Sequence, residues 1–200
     1  MQVVSIEKID MIVDALRRGE TVVFPTETTY GLGCDATNQE AVNRVFAIKG
    51  RQPDKPFLVV VPDVKTAKEY LEWNELLQKI ADQYWPGPVT VVGKSKGGLK
   101  VNGVVANDGT MALRVTAFPW LNSVAEKFGR PVVATSANLA GVSELYDFNE
   151  IKNIFSDQEK QPDLIVDAGV LPPKTPTTIV SVAGDQLKIL RQGDAIVDIK

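Results

Sequence analysis

The chain has 200 residues, 44% hydrophobic and 24% charged, with a formal net charge of −3, one cysteine and no histidine. This composition is typical of a soluble globular protein, and we expect a single domain over residues 1–200. Without histidine, Ser-His and Cys-His nucleophiles and the commonest metal ligand are excluded.

Cys34 cannot form an internal disulfide, which fits a cytoplasmic location. The negative net charge argues against a generally basic nucleic-acid surface but allows a local basic cleft. No apolar run is long enough to span a membrane, so no membrane partner is expected.

In chain order, short apolar β-branched runs alternate with segments of helical periodicity, which indicates a layered α/β domain. The predicted strands are 3–6, 21–24, 57–61, 89–92, 111–115, 131–134, 164–166, 177–182 and 187–190. Helical spacing or a capping residue predicts helices beginning near residues 9, 38, 64, 76, 119 and 147. The segment 93–109 is rich in Gly, Lys and Asn and is predicted to be a loop, for which a role as a lid stays open.

A basic segment follows the second predicted helix. It reads Lys49-Gly-Arg51-Gln-Pro-Asp-Lys55-Pro56 and places three cations directly before an apolar strand. By itself this is the pattern of a solvated surface loop. Guanidinium and ammonium groups on a stiffened loop also suit a polyanion such as a nucleotide triphosphate.

Polar clusters follow several predicted strands. The segment 25–33 is predicted to be a loop too polar for the core, and 135–138 forms a second cluster of hydroxyl and amide groups. Arg114 lies within an apolar strand, so it requires either a buried ion pair or an anionic ligand.

Because ligands of open α/β sheets collect at strand ends, we expect one cavity to gather a set of these side chains. The set is Thr26, Thr28, Arg51, Lys55, Arg114, Ser136, Asn138 and Arg191. It contains no nucleophile–base pair, so it favours nucleotide binding and transfer at phosphorus through positioning and charge neutralisation.

No Walker A motif and no G-x-G-x-x-G motif after a strand are present. The chain instead resembles the YrdC-like family of L-threonylcarbamoyladenylate synthases, through motifs that run in the family's order over nearly its whole length. The motifs are Pro25-Thr-Glu-Thr-Thr-Tyr-Gly-Leu-Gly33, Lys49-Gly-Arg51 with Lys55-Pro56, Trp85-Pro-Gly-Pro-Val-Thr90, Arg114, Thr135-Ser-Ala-Asn138, Thr177-Thr-Ile-Val180 and Arg191-Gln-Gly193.

The resemblance implies a twisted open mixed α/β sheet flanked by helices, with a concave basic cleft. It implies that ATP, bicarbonate and L-threonine form threonylcarbamoyl-AMP and pyrophosphate, for the N6-threonylcarbamoyl modification of adenosine 37 in tRNA. Mg2+ would accompany ATP, and no protein metal site is expected. Other proteins of that modification pathway are implied partners, with tRNA or double-stranded RNA as further ones.

The resemblance also assigns roles to single residues. It implies that Arg51, Lys55 and Arg114 are catalytic. It implies ATP contacts for Lys49, Arg51, Lys55, Thr110, Ser136, Asn138 and Arg191. It implies threonine contacts for Thr26, Thr28, Arg114 and Thr177, with Arg114 gripping the carboxylate through a bidentate fork.

Four positions depart from the family's pattern. Val60 and Phe118 stand where the family often has histidine, Thr177 stands for a serine, and the proline after Arg51 is shifted to Pro53. Two alternatives therefore stay open. One is a paralogue resembling YciO without threonine-dependent synthase activity, and the other is an RNA-binding module that uses the same cleft.

Overall fold

The structure, a computed structural model, describes residues 1–51, 55–183 and 186–199. The shifted Pro53 falls outside these ranges, as do Gly184 and Asp185, around which the strands 177–182 and 187–190 were expected to form a hairpin.

The described residues form six helices and eleven strands. The helices are α1 (Ile9–Arg17), α2 (Gln39–Lys49), α3 (Val64–Tyr70), α4 (Glu75–Tyr84), α5 (Pro119–Phe128) and α6 (Phe148–Ser156). The strands are β1 (Gln2–Ser5), β2 (Val22–Pro25), β3 (Tyr30–Gly33), β4 (Leu58–Val61), β5 (Val89–Lys94), β6 (Thr110–Val115), β7 (Val132–Val133), β8 (Thr135–Ser136), β9 (Leu164–Asp167), β10 (Thr178–Ser181) and β11 (Lys188–Arg191). None of the described helices combines the length and hydropathy needed to cross a membrane.

The predicted mixed α/β architecture is confirmed, and the strands divide between two mixed sheets. The first has the order β1-β9-β2-β3-β8 and the second β11-β10-β5-β6-β4-β7. In the first sheet β9 pairs parallel to β1 and β2, whereas β2–β3 and β3–β8 are antiparallel. In the second, β10–β5 and β4–β6 are parallel and the other three pairs are antiparallel.

The predicted strand 131–134 and the polar residues directly after it join the two sheets. Val132 and Val133 pair with β4 of the second sheet, while Thr135 and Ser136 pair with β3 of the first. Ala134 lies between them, and its amide donates to the carbonyl oxygen of Leu58 at 2.9 Å. The chain therefore changes sheet within the five residues 132–136, which the apolar pattern of 131–134 did not indicate.

The prediction that 25–33 is a polar loop is wrong for its second half. Tyr30–Gly33 is a fully buried strand, paired antiparallel to β2 from Val22 to Pro25. Only 26–29 form the turn, where the Thr26 hydroxyl donates to the Thr29 carbonyl oxygen at 2.6 Å. The two glycines and the polar residues before them hid the alternation of this strand in the sequence, but the absence of side chains at Gly31 and Gly33 lets it lie close to its neighbours.

The helix starts follow the predicted capping chemistry. The Asn38 side chain accepts from the amides of Glu40 and Ala41, and Asp147 accepts from the amide of Asn149. Helices α1 and α5 pack together, α1 against β2 of the first sheet and α5 against β4 of the second, and they bury Ile12, Leu16, Leu121 and Val124 in a cluster with Phe24.

Candidate functional site

A cavity of about 340 Å3 lies between the two sheets. Seven of the expected site residues line it: Thr26, Thr28, Arg51, Arg114, Ser136, Thr177 and Arg191. The hairpin β2–β3 and strand β8 supply the residues from the first sheet, and β6, β10 and β11 supply or flank those from the second. Of the eight side chains predicted to share one cavity, six line it, and Lys55 and Asn138 do not.

Arg51 is held at the cavity wall by two contacts. Its guanidinium carbon lies 5.3 Å from the ring centroid of Phe57, and Nη2 donates to the Lys55 carbonyl oxygen at 2.9 Å. Phe57 in turn stacks on Phe46 with ring centroids 4.1 Å apart. This stack keeps the planar cation oriented before an anion binds.

Arg191 enters from the edge strand β11. Its Nε and Nη2 donate to the Thr177 carbonyl oxygen at 3.1 and 2.8 Å, and Nη2 also lies 3.1 Å from the Thr177 hydroxyl. Burial lowers the pKa of Arg191, and the charge of Glu144 opposes that shift. The Thr177 hydroxyl pairs with that of Thr90 at 3.1 Å, so both threonines are held in place.

Arg114 has the buried ion pair that its position in an apolar strand required. Its Nη1 donates to Oε1 of Glu27, which also accepts from the Thr116 hydroxyl at 3.2 Å. The side chains of Arg114 and Glu27 are 3% and 15% exposed. Arg114 Nε and Glu27 Oε2 are buried without a hydrogen-bond partner. The guanidinium therefore reaches the cavity with its charge balanced by a carboxylate.

Lys49 lies behind the cavity rather than in its lining. Its Nζ donates to the carbonyl oxygens of Ser136 and Asn138 at 2.5 and 2.8 Å and to Asn138 Oδ1 at 3.0 Å. Burial and repulsion from Arg51 lower the pKa of Lys49 to about 8, against the opposing charge of Glu144. These three bonds orient Ser136 and Asn138, and the expected contact of Lys49 with ATP remains a prediction.

Three other expected ATP contacts do not line the cavity. The Thr110 hydroxyl donates to Asp108 Oδ1 at 2.7 Å, and the Asn138 side chain bonds Ser136, Lys49 and the Val142 carbonyl oxygen. Lys55 is exposed beside residues outside the described ranges. Their roles toward ATP remain predictions.

Sequence reasoning missed several lining or supporting residues, among them Glu27, Thr29, Thr90 and Glu144. The need of Arg114 for a counter-charge was a signal for Glu27, which lies within a quoted motif. Nothing in the pattern around Glu144 distinguished it from a solvated acid.

Comparison with known proteins places this geometry in a family. The family model Sua5_yciO_yrdC, described as Telomere recombination, matches residues 14–193. A threonylcarbamoyl-AMP synthase of Pseudoalteromonas translucida is 35% identical over 150 residues, which are 73% of this chain and 79% of that protein.

Two solved structures share the fold. P. abyssi Sua5 complexed with L-threonine superposes with a TM-score of 0.84 at 27% identity, covering 96% of this chain and 56% of that one. E. coli YciO gives a TM-score of 0.84 at 25% identity and covers 98% of this chain and 95% of that one. The chain thus spans little more than half of the Sua5 protein and nearly all of YciO.

Proposed function

This chain belongs to the Sua5/YciO/YrdC family, and on that premise we propose that it is an L-threonylcarbamoyladenylate synthase. It would convert ATP, bicarbonate and L-threonine into threonylcarbamoyl-AMP, pyrophosphate and water, for modification of adenosine 37 in tRNA. Support comes from its identity to a threonylcarbamoyl-AMP synthase and from the L-threonine complex of the structurally similar Sua5. Action in the cytoplasm, with separate partner proteins receiving the product, belongs to the same proposal.

The observation that carries the proposal is a cavity with guanidiniums on its walls and threonine hydroxyls between them. Arg51 and Arg191 have no carboxylate partner within 4 Å among the described residues, so they suit the phosphates. Arg114 with Thr26, Thr28 and Thr177 would receive the amino acid, since hydroxyls and a charge-balanced guanidinium suit its polar groups.

The bond changes require little from protein acids and bases. The threonine nitrogen forms a bond to the bicarbonate carbon with loss of water, and a carbamate oxygen then attacks the α-phosphorus as pyrophosphate leaves. In a chain without histidine, the described residues would act by holding the reactants together and neutralising phosphate charge. Mg2+, bound with the triphosphate, would neutralise further phosphate charge.

Pyrophosphate release tests the proposal. The protein is incubated with ATP, bicarbonate and each amino acid in turn, and release that depends on both L-threonine and bicarbonate is expected. ATP consumption without that dependence would contradict the proposal.

The similarity to YciO in both fold and length favours a second candidate, a paralogue without threonine-dependent synthase activity. The same assay separates the two, because the paralogue would bind nucleotide and show no response to threonine.

A further inference from the structure

We propose that the Glu144 carboxylate is the ligand that this protein provides for the divalent cation accompanying the nucleotide triphosphate. The inference rests on the ATP site of the proposed function and assigns a role to a residue for which the sequence pattern gave none. The cation would be Mg2+ or a similar hard ion, for which carboxylate and phosphate oxygens are the preferred ligands.

Glu144 has a distinctive place in the cavity. Among the described lining residues it is the only carboxylate, and it faces a cavity with three guanidiniums, those of Arg51, Arg114 and Arg191. Yet it forms no ion pair within 4 Å with any described cation. Its role is therefore not to neutralise a neighbouring arginine by direct contact.

The segment that carries Glu144 is fixed to the first sheet. The Leu145 carbonyl oxygen accepts from the Thr29 hydroxyl at 2.6 Å and from the Tyr30 amide at 3.4 Å. The Tyr146 carbonyl oxygen accepts from the Leu171 amide at 2.8 Å. These bonds on the next two residues limit where the Glu144 side chain can go.

Only one of the two oxygens of the Glu144 carboxylate accepts a hydrogen bond from a described residue. The Tyr146 hydroxyl donates to Glu144 Oε2 at 3.3 Å, and Oε1 receives no hydrogen bond from a described residue. One oxygen is thus oriented while the other is available to a ligand. A carboxylate held in this way has the chemistry of a single-point metal ligand.

The charges of the bound triphosphate and of Glu144 favour a cation as the ligand of this carboxylate. A triphosphate bound by Arg51 and Arg191 would bring several negative charges near Glu144, and like charges in a confined cavity repel. A divalent cation shared between phosphate and carboxylate removes that repulsion. Among the described residues no group of three potential metal ligands occurs, so the remaining ligands would be phosphate and water oxygens.

The test compares ATP binding with and without metal in a variant that keeps the shape of the side chain. Wild type and Glu144→Gln are titrated with a non-hydrolysable ATP analogue by calorimetry, once in excess Mg2+ and once in EDTA. We expect Glu144→Gln to bind the metal-free analogue several-fold more tightly, because a repulsive charge is gone, and to lose most of the Mg2+-dependent gain of the wild type. Glu144→Asp, which keeps the charge, should retain part of that gain.

A matched control is Glu126→Gln, which makes the same charge change on an exposed position of α5 outside the cavity. It should behave as wild type in both titrations. Thermal unfolding of each variant checks that the fold is intact.

Three results would overturn the inference. If Glu144→Gln weakened binding of the analogue equally with and without Mg2+, the role of Glu144 would be structural. If the Mg2+ dependence of binding were the same as in wild type, Glu144 would not be a metal ligand. No binding of the analogue by wild type in either titration would remove the ATP site itself. These titrations measure ATP binding and do not depend on catalysis. If threonine-dependent pyrophosphate release is not observed, the synthase proposal is wrong, but the role of Glu144 in metal-dependent ATP binding can still be judged from the titrations.

Discussion

At the residue scale, the pair formed by Arg114 and Glu27 sets how charge is distributed in the cavity. The Arg114 side chain is buried and that of Glu27 is largely so, and each keeps one buried polar atom without a partner. A guanidinium balanced by a carboxylate still donates hydrogen bonds but adds little net charge to the cavity. Under the proposed function, the charge offered to phosphates would come from Arg51 and Arg191, and the Arg114 pair would suit a ligand with polar and zwitterionic groups.

The pair predicts a large effect on stability. Glu27→Gln should lower the free energy of unfolding by about 3–5 kcal/mol, because it leaves a buried guanidinium without its counter-charge. Urea unfolding followed by circular dichroism measures this. Asp14→Asn is the control, since it breaks an exposed pair with Arg17 and should cost at most about 1 kcal/mol. Equal costs for the two variants would show that the Arg114 pair is not buried in solution.

The position of Arg114 also predicts that its substitution affects the KM values of the two substrates unequally. Arg114→Lys should raise KM for L-threonine more than KM for ATP, since a point charge cannot reproduce a planar fork. Initial rates of pyrophosphate release with each substrate varied give both constants. A similar rise in both would place Arg114 at the nucleotide instead.

At the scale of elements, the hairpin β2–β3 is the part that the sequence pattern described least well. Its second strand alternates glycine with large apolar residues and packs against β8 and the start of the segment that joins the sheets. A Cβ atom on Gly33 would lie 1.9 Å from the Val133 carbonyl oxygen and 2.8 Å from the Phe24 ring. Glycine is required there by close backbone approach, which is a property of the neighbours and not of the local sequence.

This close packing predicts that adding a methyl group at position 33 lowers the stability of the fold. Gly33→Ala should destabilise the protein by about 1–3 kcal/mol or more, because the backbone on the far side cannot move away easily. Gly98→Ala is the matched control, since a Cβ there would meet no atom within 4 Å. Thermal unfolding of both variants checks the difference, and equal melting temperatures would contradict the close approach of the strands.

At the scale of the whole molecule, Asp163 ties together segments far apart in the chain. Its carboxylate accepts from the Thr21 amide and hydroxyl at 2.7 and 2.9 Å, and from Arg44 Nη2 with both oxygens at 2.6 Å. These bonds connect the start of β2, helix α2 and the start of β9. Burial by itself would raise the pKa of Asp163, but the bonds from Arg44 and Thr21 outweigh it and lower the pKa overall.

A lowered pKa in the folded state predicts an acid-dependent loss of stability. The contribution of Asp163 is present above the pKa of the unfolded carboxyl, near 3.8, and is lost as the pH falls through the folded value. Asp163→Asn should therefore be less stable than wild type at neutral pH and should show a shallower loss below about pH 4. Urea midpoints measured from pH 7 to pH 3 test this. An unchanged slope of stability against pH would rule out Asp163 as a contributor.

The sequence by itself determined the α/β class, most helix starts and the residue types of the site. Apolar periodicity and capping residues such as Asn38 and Asp147 act locally, so they can be recognised without a fold. The tertiary structure alone decided the two sheets, the buried strand 30–33, the partner of Arg114 and the place of Lys49 behind the cavity. Each of these depends on which distant backbone or charge lies within a few ångströms, as Glu27 lies beside Arg114 across 87 positions of the chain. That proximity is set by packing, and no local pattern of residues encodes it.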